Sequence, residues 1–145
     1  MTATARGLAL ALGVAGALLA PAPAVAQTSL SITPAALAIA SPGATEFDNT
    51  ASAVTSLTYT VDCDNTGPCR IRVRGSAFNG RPASDVEWAT SAGGPWTPLS
   101  TTDAQVASHP KNKVRSGSIF FRIRISYTTY PAGTYTPPIV VSVLQ

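Results

Sequence analysis

Apolar and polar side chains alternate with a period of two in several segments of the chain after residue 27. This alternation is typical of β-strands that bury one face, because successive side chains of a strand point in opposite directions. Six segments show it, with apolar positions at Leu30 and Ile32; Leu57, Tyr59 and Val61; Ile71 and Val73; Val86 and Trp88; Ile119, Phe121, Ile123, Ile125 and Tyr127; and Tyr135, Ile139, Val141 and Val143. The longest helical candidate, Ala35 to Ala40, lies between Pro34 and Pro42. The pattern therefore predicts an all-β protein.

Turn-forming residues separate these segments. The turn sequences are Ser41-Pro42-Gly43, Asn65-Thr66-Gly67-Pro68, Asn79-Gly80-Arg81-Pro82, Gly93-Gly94-Pro95 and Pro131-Ala132-Gly133. Because a sheet with one apolar face needs a second sheet to cover it, this spacing predicts an antiparallel β-sandwich of about seven or eight strands. Pro137 and Pro138 cannot donate to a ladder, so the last strand is expected to be an edge strand or to be bulged at its start.

The first 26 residues have the features of a secretory signal peptide. Arg6 precedes an apolar run from Leu8 to Ala20, and Ala24-Val25-Ala26 is a small-residue cleavage site before Gln27. A transmembrane anchor is the alternative, but the run is shorter than the roughly 20 residues that span a bilayer. We therefore expect residues 27–145 to form a single domain that is periplasmic or extracellular, with no membrane span after cleavage.

Composition narrows the expected partners. The chain has 10 Lys and Arg against 7 Asp and Glu, a net charge of +3, and Arg6 belongs to the predicted leader. This excess is small for a nucleic-acid-binding protein, and export also argues against a nucleic-acid ligand. Two cysteines in an exported chain, Cys63 and Cys69, predict a disulfide.

A hairpin register fits this disulfide. If Cys63 lies opposite Cys69, apolar residues meet apolar ones and polar residues meet polar ones. The pairs are Asp62 with Arg70, Val61 with Ile71, Thr60 with Arg72, and Tyr59 with Val73. A slip by one residue would spoil every match. The sequence thus predicts an antiparallel hairpin with the disulfide across the mouth of the loop from Asp64 to Pro68.

Arginines on two of the predicted strands are the first candidate binding site. If those strands are neighbours, five guanidinium groups share one surface, which would suit an anionic polysaccharide, a phosphate-bearing lipid or an acidic protein patch. The five are Arg70, Arg72 and Arg74 on one strand, and Arg122 and Arg124 on the other. The alternative is a solvated outer face on which some arginines pair with acidic residues, namely Asp62, Asp85 or Glu87.

Trp96, in the loop from Ala92 to Pro98, is the aromatic candidate for sugar stacking. The alternative is that it anchors its loop to the core. Trp88 alternates in phase with Val86 and is expected to be buried.

Catalytic and metal motifs are weak. Residues 62–67 match the start of a calcium-binding loop, but position twelve of that loop must be acidic and is Val73 here. Two interpretations remain, a partial calcium site at Asp62 and Asp64 or an ordinary turn. His109 is assigned to a polar loop from Ser108 to Lys113 without an orienting acid. Asp85 and Glu87 share a strand face without a cleft around them. We therefore expect no enzyme, no metal and no cofactor.

The segment Pro131-Ala132-Gly133-Thr134-Tyr135-Thr136, followed by the alternating strand Ile139 to Leu144, resembles the closing turn and final strand of secreted bacterial Ig-like and pilin-like sandwiches, including the spore coat protein U type. The short early strand Leu30 to Thr33 followed by Pro34 is similar as well. The resemblance implies an Ig-like or pilin-like sandwich with a structural role at the cell surface or outside the cell.

Two functional hypotheses follow. The first is a non-catalytic secreted or envelope structural protein, or a surface-assembly subunit, whose C-terminal edge strand joins another copy or another envelope protein. The alternative is a monomeric module that binds a glycan or another anionic polymer through the arginines and Trp96.

Overall fold

The computed structural model describes residues 28–41, 51–64, 66–124 and 133–145. Regular structure in these residues consists of ten β-strands and one 3-10 turn at Ala83–Asp85. The strands are β1 Ser29–Thr33, β2 Ile39–Ser41, β3 Thr55–Cys63, β4 Cys69–Gly75, β5 Val86–Ala89, β6 Thr97–Pro98, β7 Ala104–His109, β8 Lys113–Ile123, β9 Gly133–Tyr135 and β10 Ile139–Leu144. The prediction of an all-β, antiparallel, sandwich-like protein is confirmed, with ten strands among the described residues instead of the expected seven or eight.

The strands form two main antiparallel sheets. The larger has the order β1-β3-β8-β5-β6, and its longest ladder joins β3 to β8 from Thr55↔Phe121 to Cys63↔Lys113. The smaller has the order β10-β4-β7, with a register shift opposite Ile71 and Arg72. A separate pair, β2 with β9, adds Ile39 to the core.

The core consists of the inward rows of both sheets. Alternation produces these rows, because every second residue is buried along β4, along β3 from Leu57 and along β8 from Ile119, while the residues between them are more exposed. The largest fully buried side chains belong to these rows and to β2 and β5: Phe121, Ile39, Ile71, Ile119, Ile123, Val61, Val73 and Val86. Trp88 is buried as predicted.

The predicted hairpin between β3 and β4 is wrong. β3 pairs with β1 and β8, whereas β4 pairs with β10 and β7, so the two strands belong to different sheets. The disulfide is present, with a Cα–Cα distance of 5.7 Å, and it joins the two sheets where the loop passes from one to the other. The apolar matching misled because residues that face each other across a core match as well as residues that lie side by side.

Other strand predictions differ in detail. The expected final strand is divided at Pro137 and Pro138 into β9 and β10, and β10 is an edge strand as predicted. β7 was not predicted, and it places His109 at a strand end instead of in a loop. Asp85 ends the 3-10 turn and lies outside the strand that carries Glu87.

Several predictions fall outside the described residues. These are the signal peptide, the turn at Pro42-Gly43, Asn65, and the segment 125–132 with its expected strand end and turn. In the part of the chain that the structure describes, no helix has the length and apolar character needed to cross a bilayer.

The inter-sheet disulfide gives a stability prediction. Replacing Cys63 and Cys69 together by Ala should lower the free energy of unfolding by about 2 kcal/mol, because the sequence separation of 6 closes only a short loop in the unfolded chain. Urea unfolding of the oxidised protein and the double variant measures the difference. Reduced wild-type protein is the control, and an unchanged urea midpoint on reduction would contradict the stabilising role of the bond.

Candidate functional site

β10 is an edge strand of the three-stranded sheet, and its outer face carries exposed apolar side chains. β10 pairs with β4 from Ile139↔Gly75 to Leu144↔Arg70, and none of the described strands pairs with its other side. On its outer face, Val140 and Leu144 are each 43% exposed. The segment 139–144 contains no charged residue. Such an edge can accept a further strand.

The direction of the free backbone groups follows from one hydrogen bond. Ser76 N–H donates to the carbonyl of Pro138 at 3.2 Å, which places Pro138 in a hydrogen-bonded pair with β4. Because such pairs alternate in an antiparallel ladder, Val140 and Ser142 also direct their backbone groups towards β4. Ile139, Val141 and Val143 therefore direct theirs towards the free edge.

An apolar cavity of about 260 Å³ lies beside this edge, between β10 and β1. Ile32, Leu37, Leu57, Ile139 and Val141 line it, together with prolines 34, 137 and 138. At the other end of the two strands the gap closes, because the Thr28 hydroxyl donates to the Gln145 side-chain oxygen. The free edge thus lies next to an opening between the two sheets.

The five arginines do not share one surface. β4 is in the three-stranded sheet and β8 is in the five-stranded sheet, so the two groups lie on opposite outer faces. The condition for a five-guanidinium patch, that the two strands are neighbours, is therefore not met. Arg70 is exposed, whereas Arg72 and Arg74 each approach Asp103 at 3.8 Å.

Arg122 and Arg124 surround a buried carboxylate. The β5–β8 register sets Glu87 opposite Arg122, and the Arg122 Nε donates to Glu87 Oε2 at 2.7 Å. Arg124 Nε lies 3.7 Å from the other carboxylate oxygen. The Glu87 side chain is 9% exposed, and the Arg124 side chain is 65% exposed. Glu87 therefore acts as an internal counter-ion, as in the alternative in which some arginines pair with acidic residues.

Trp96 packs on this ion pair. The Arg122 guanidinium carbon lies 4.4 Å from the centre of the Trp96 ring, within the range of a cation–π contact. Gly94 has φ +88°, and a Cβ there would lie 2.8 Å from Trp96 Cδ1, so the loop needs glycine to bring the indole to this place. Trp96 is half-buried and anchors its loop to the outer face of the sheet, not to the core.

His109 has a partner that the sequence did not reveal. Its Nε2 lies 3.0 Å from the hydroxyl of Tyr59 on β3, and both residues are partly or fully buried. The Tyr59 ring passes over Gly117 to reach His109. A Cβ at position 117 would lie 2.5 Å from the Tyr59 hydroxyl oxygen, so a side chain there would clash with the ring. Burial lowers the pKa of His109, and the nearby charge of Arg115 lowers it further. Burial also raises the pKa of the Tyr59 hydroxyl.

Asp64, one of the two acidic residues considered for a calcium site, accepts hydrogen bonds from the turn that follows it. The backbone N–H and the hydroxyl of Thr66 both donate to Asp64 Oδ1 at 2.7 Å, and these bonds lower the pKa of the carboxyl. The Gln145 amide donates to the same oxygen and to the carbonyl of Gly67. Asp62 is exposed on β3. Among the described residues no group of three or more His, Cys, Asp or Glu is placed to hold a metal ion.

Neither a protein-family model, nor a curated protein, nor a solved structure matches this chain. What the protein does is therefore inferred from its own residues.

The buried carboxylate gives a second prediction. Arg122→Met should destabilise the protein by about 2 kcal/mol at neutral pH, less than for a fully buried pair because the Arg122 side chain is 28% exposed. Arg124→Gln is the matched control, and its loss should stay below about 0.5 kcal/mol. Urea unfolding measures both values. Equal losses would show that Glu87 does not depend on Arg122, and adding Glu87→Gln to Arg122→Met should restore part of the stability.

The buried histidine gives a third prediction. Because the pKa of His109 is lowered from 6.5 in the folded protein, the unfolded chain binds a proton that the folded protein resists. The contribution of neutral His109 to the free energy of unfolding is therefore fully present above about pH 6.5 and is lost as the pH falls below that value. The midpoint of thermal unfolding should decrease between pH 7.5 and 5.5, and His109→Gln should flatten that decrease. An identical pH dependence in the variant would contradict this assignment.

Proposed function

We propose that this protein is a non-catalytic, exported subunit of a cell-envelope or surface assembly, and that it joins its neighbour by β-strand addition at β10. One observation carries the proposal: β10 has an uncharged edge that none of the described strands pairs with, beside an apolar opening between the sheets. Strand addition supplies affinity through main-chain hydrogen bonds and specificity through pockets for alternate side chains. The export part rests on the leader sequence.

The other sheet edges support this choice by contrast. β6 has two residues and includes Pro98, and β7 carries a register shift against β4. Short strands, proline and bulges are the usual means by which proteins prevent edge pairing. β1 exposes Ser29, Ser31 and Thr33 and is followed by Pro34. β10 alone among the described edges exposes large apolar side chains along its outer face.

The second candidate function is binding of an anionic glycan by the outer face of the three-stranded sheet. The observation that favours it is the placement of Arg74, whose side chain is 52% exposed and lines an open depression of about 310 Å³ with Ser76 and Thr101. Arg70 and Arg72 lie on the same face. Arg122, Arg124 and Trp96 lie on the opposite sheet, so they would form a separate binding surface.

The assembly proposal predicts self-association that a charge on β10 abolishes. The average mass of the purified mature protein should rise with concentration, as measured by light scattering after size-exclusion chromatography. Val140→Glu should weaken this association at least about tenfold, which corresponds to about 1.4 kcal/mol, because the edge would then present a carboxylate that must be desolvated. Val140 lies opposite Arg74, so the new charge is compatible with the folded monomer.

Val114→Lys is the control for this experiment. Val114 is 61% exposed on β8 and lies opposite Asp62, so this variant also gains a charge beside one of opposite sign, but away from β10. It should associate like the wild type. A wild-type protein that stays monomeric at every concentration would contradict self-assembly and favour the glycan-binding candidate.

A further inference from the structure

We infer that the strand added to β10 is the β10 of a second copy of this chain, in antiparallel orientation about a twofold axis at Ser142. This inference rests on the proposed function, namely that β10 accepts a strand. It goes further in naming the partner and the register. The result is one continuous six-stranded sheet in the order β7-β4-β10-β10-β4-β7.

The backbone restricts the registers that a second copy can adopt. Ile139, Val141 and Val143 direct their N–H and C=O groups to the free edge, as the bond from Ser76 to Pro138 establishes. In a twofold antiparallel pair these odd-numbered residues must meet odd-numbered residues of the copy. The axis therefore passes through a residue and not between two residues. Ser142 and Val141 are the two central choices.

Side-chain matching selects Ser142. With the axis there, Val141 lies opposite Val143 of the copy on the inner face. On the outer face Val140 lies opposite Leu144 of the copy, so the two exposed apolar side chains of β10 cover each other twice. The Ser142 hydroxyl groups meet at the axis and can exchange a hydrogen bond. With the axis at Val141, Val140 would instead face a serine hydroxyl and Leu144 would face Pro138.

Charge permits a copy of the same chain. The segment 139–144 has no charged residue, so no like charges meet in the new ladder. The arginines of the two β4 strands would be three interstrand spacings apart, about 14 Å. This exceeds the Debye length of about 8 Å at physiological ionic strength, so their repulsion is largely screened.

Cysteine cross-linking at the axis tests the inference. Directly opposed residues in a non-hydrogen-bonded antiparallel pair have Cα atoms about 4.5 Å apart, which suits a disulfide. Ser142→Cys should therefore form a covalent dimer under mild oxidation at least tenfold faster than Val140→Cys. Val140→Cys is the control. Val140 lies on the same face as Ser142 and is more exposed, but residue 140 of the copy is four residues away from the position opposite it. Peptide mass mapping should identify a disulfide between the two substituted positions of the dimer, with Cys63–Cys69 intact.

A second pairing checks the register independently. A mixture of Val140→Cys and Leu144→Cys proteins should cross-link to each other in preference to themselves. Preferential cross-linking between Val140→Cys and Ser142→Cys would place the axis at Val141 and overturn the register. Equal rates for all variants would show that only random collisions occur and would overturn the inference.

The outcomes separate this inference from the proposed function. If the wild type associates and Val140→Glu suppresses it, but Ser142→Cys has no advantage, then β10 accepts a different edge of the next copy. Strand addition would then stand, and the twofold pair would be wrong. A wild type that is monomeric throughout would overturn both.

Discussion

The buried faces of β3 and β4 belong to one hydrophobic core between the two sheets, and the rest of the fold depends on this shared core. Leu57, Tyr59 and Val61 project from one sheet, while Ile71 and Val73 project from the other. Because the two strands are consecutive, the short segment between them must cross from layer to layer. The disulfide fixes this crossing, so the two sheets are held together covalently where the chain passes between them.

This crossing also determines which strands are left at the edges. Since β3 is not paired with β4, it is available to β1 and β8 on both sides and becomes an interior strand. β4 takes β10 and β7 as its neighbours, and the smaller sheet ends after three strands. If β3 and β4 formed a hairpin, β3 would occupy one edge of β4, and either β10 or β7 could not pair there. The pairing of β4 with both β10 and β7 therefore depends on the layer change at Cys63 and Cys69.

Alternation in the sequence was enough to predict the inward residues, because burial of every second side chain is a local property of a strand. Val61, Ile71 and Phe121 are all fully buried as their phase requires. Strand neighbours could not be predicted in the same way. Apolar matching cannot distinguish Val61 beside Ile71 from Val61 facing Ile71, and only the global topology decides between them.

The candidate sites were predicted less well for the same reason. The five arginines were recognised as outward-facing, but their division between two faces depends on sheet order. The partner of His109 was missed because β7 carries a bulge that interrupts the two-residue period on which the prediction depended. Gly117 in a strand interior was the available signal, since such a glycine often marks a close approach of another group, here the Tyr59 ring.

The edges of the described sheets differ in how strongly they are protected against pairing. β6 is short and contains a proline, and β7 carries a bulge, so both edges are poor sites for a further strand. β10 has none of these features within Ile139–Leu144. If β10 is the one edge that accepts a strand, as proposed above, each molecule can join only one other. Once that edge is covered by its own twofold copy, no equivalent edge remains among the described strands of the smaller sheet for a third molecule. Association should then stop at the dimer, and concentrated solutions should stay clear. A molecule with two strand-accepting edges would instead form fibrils or gels.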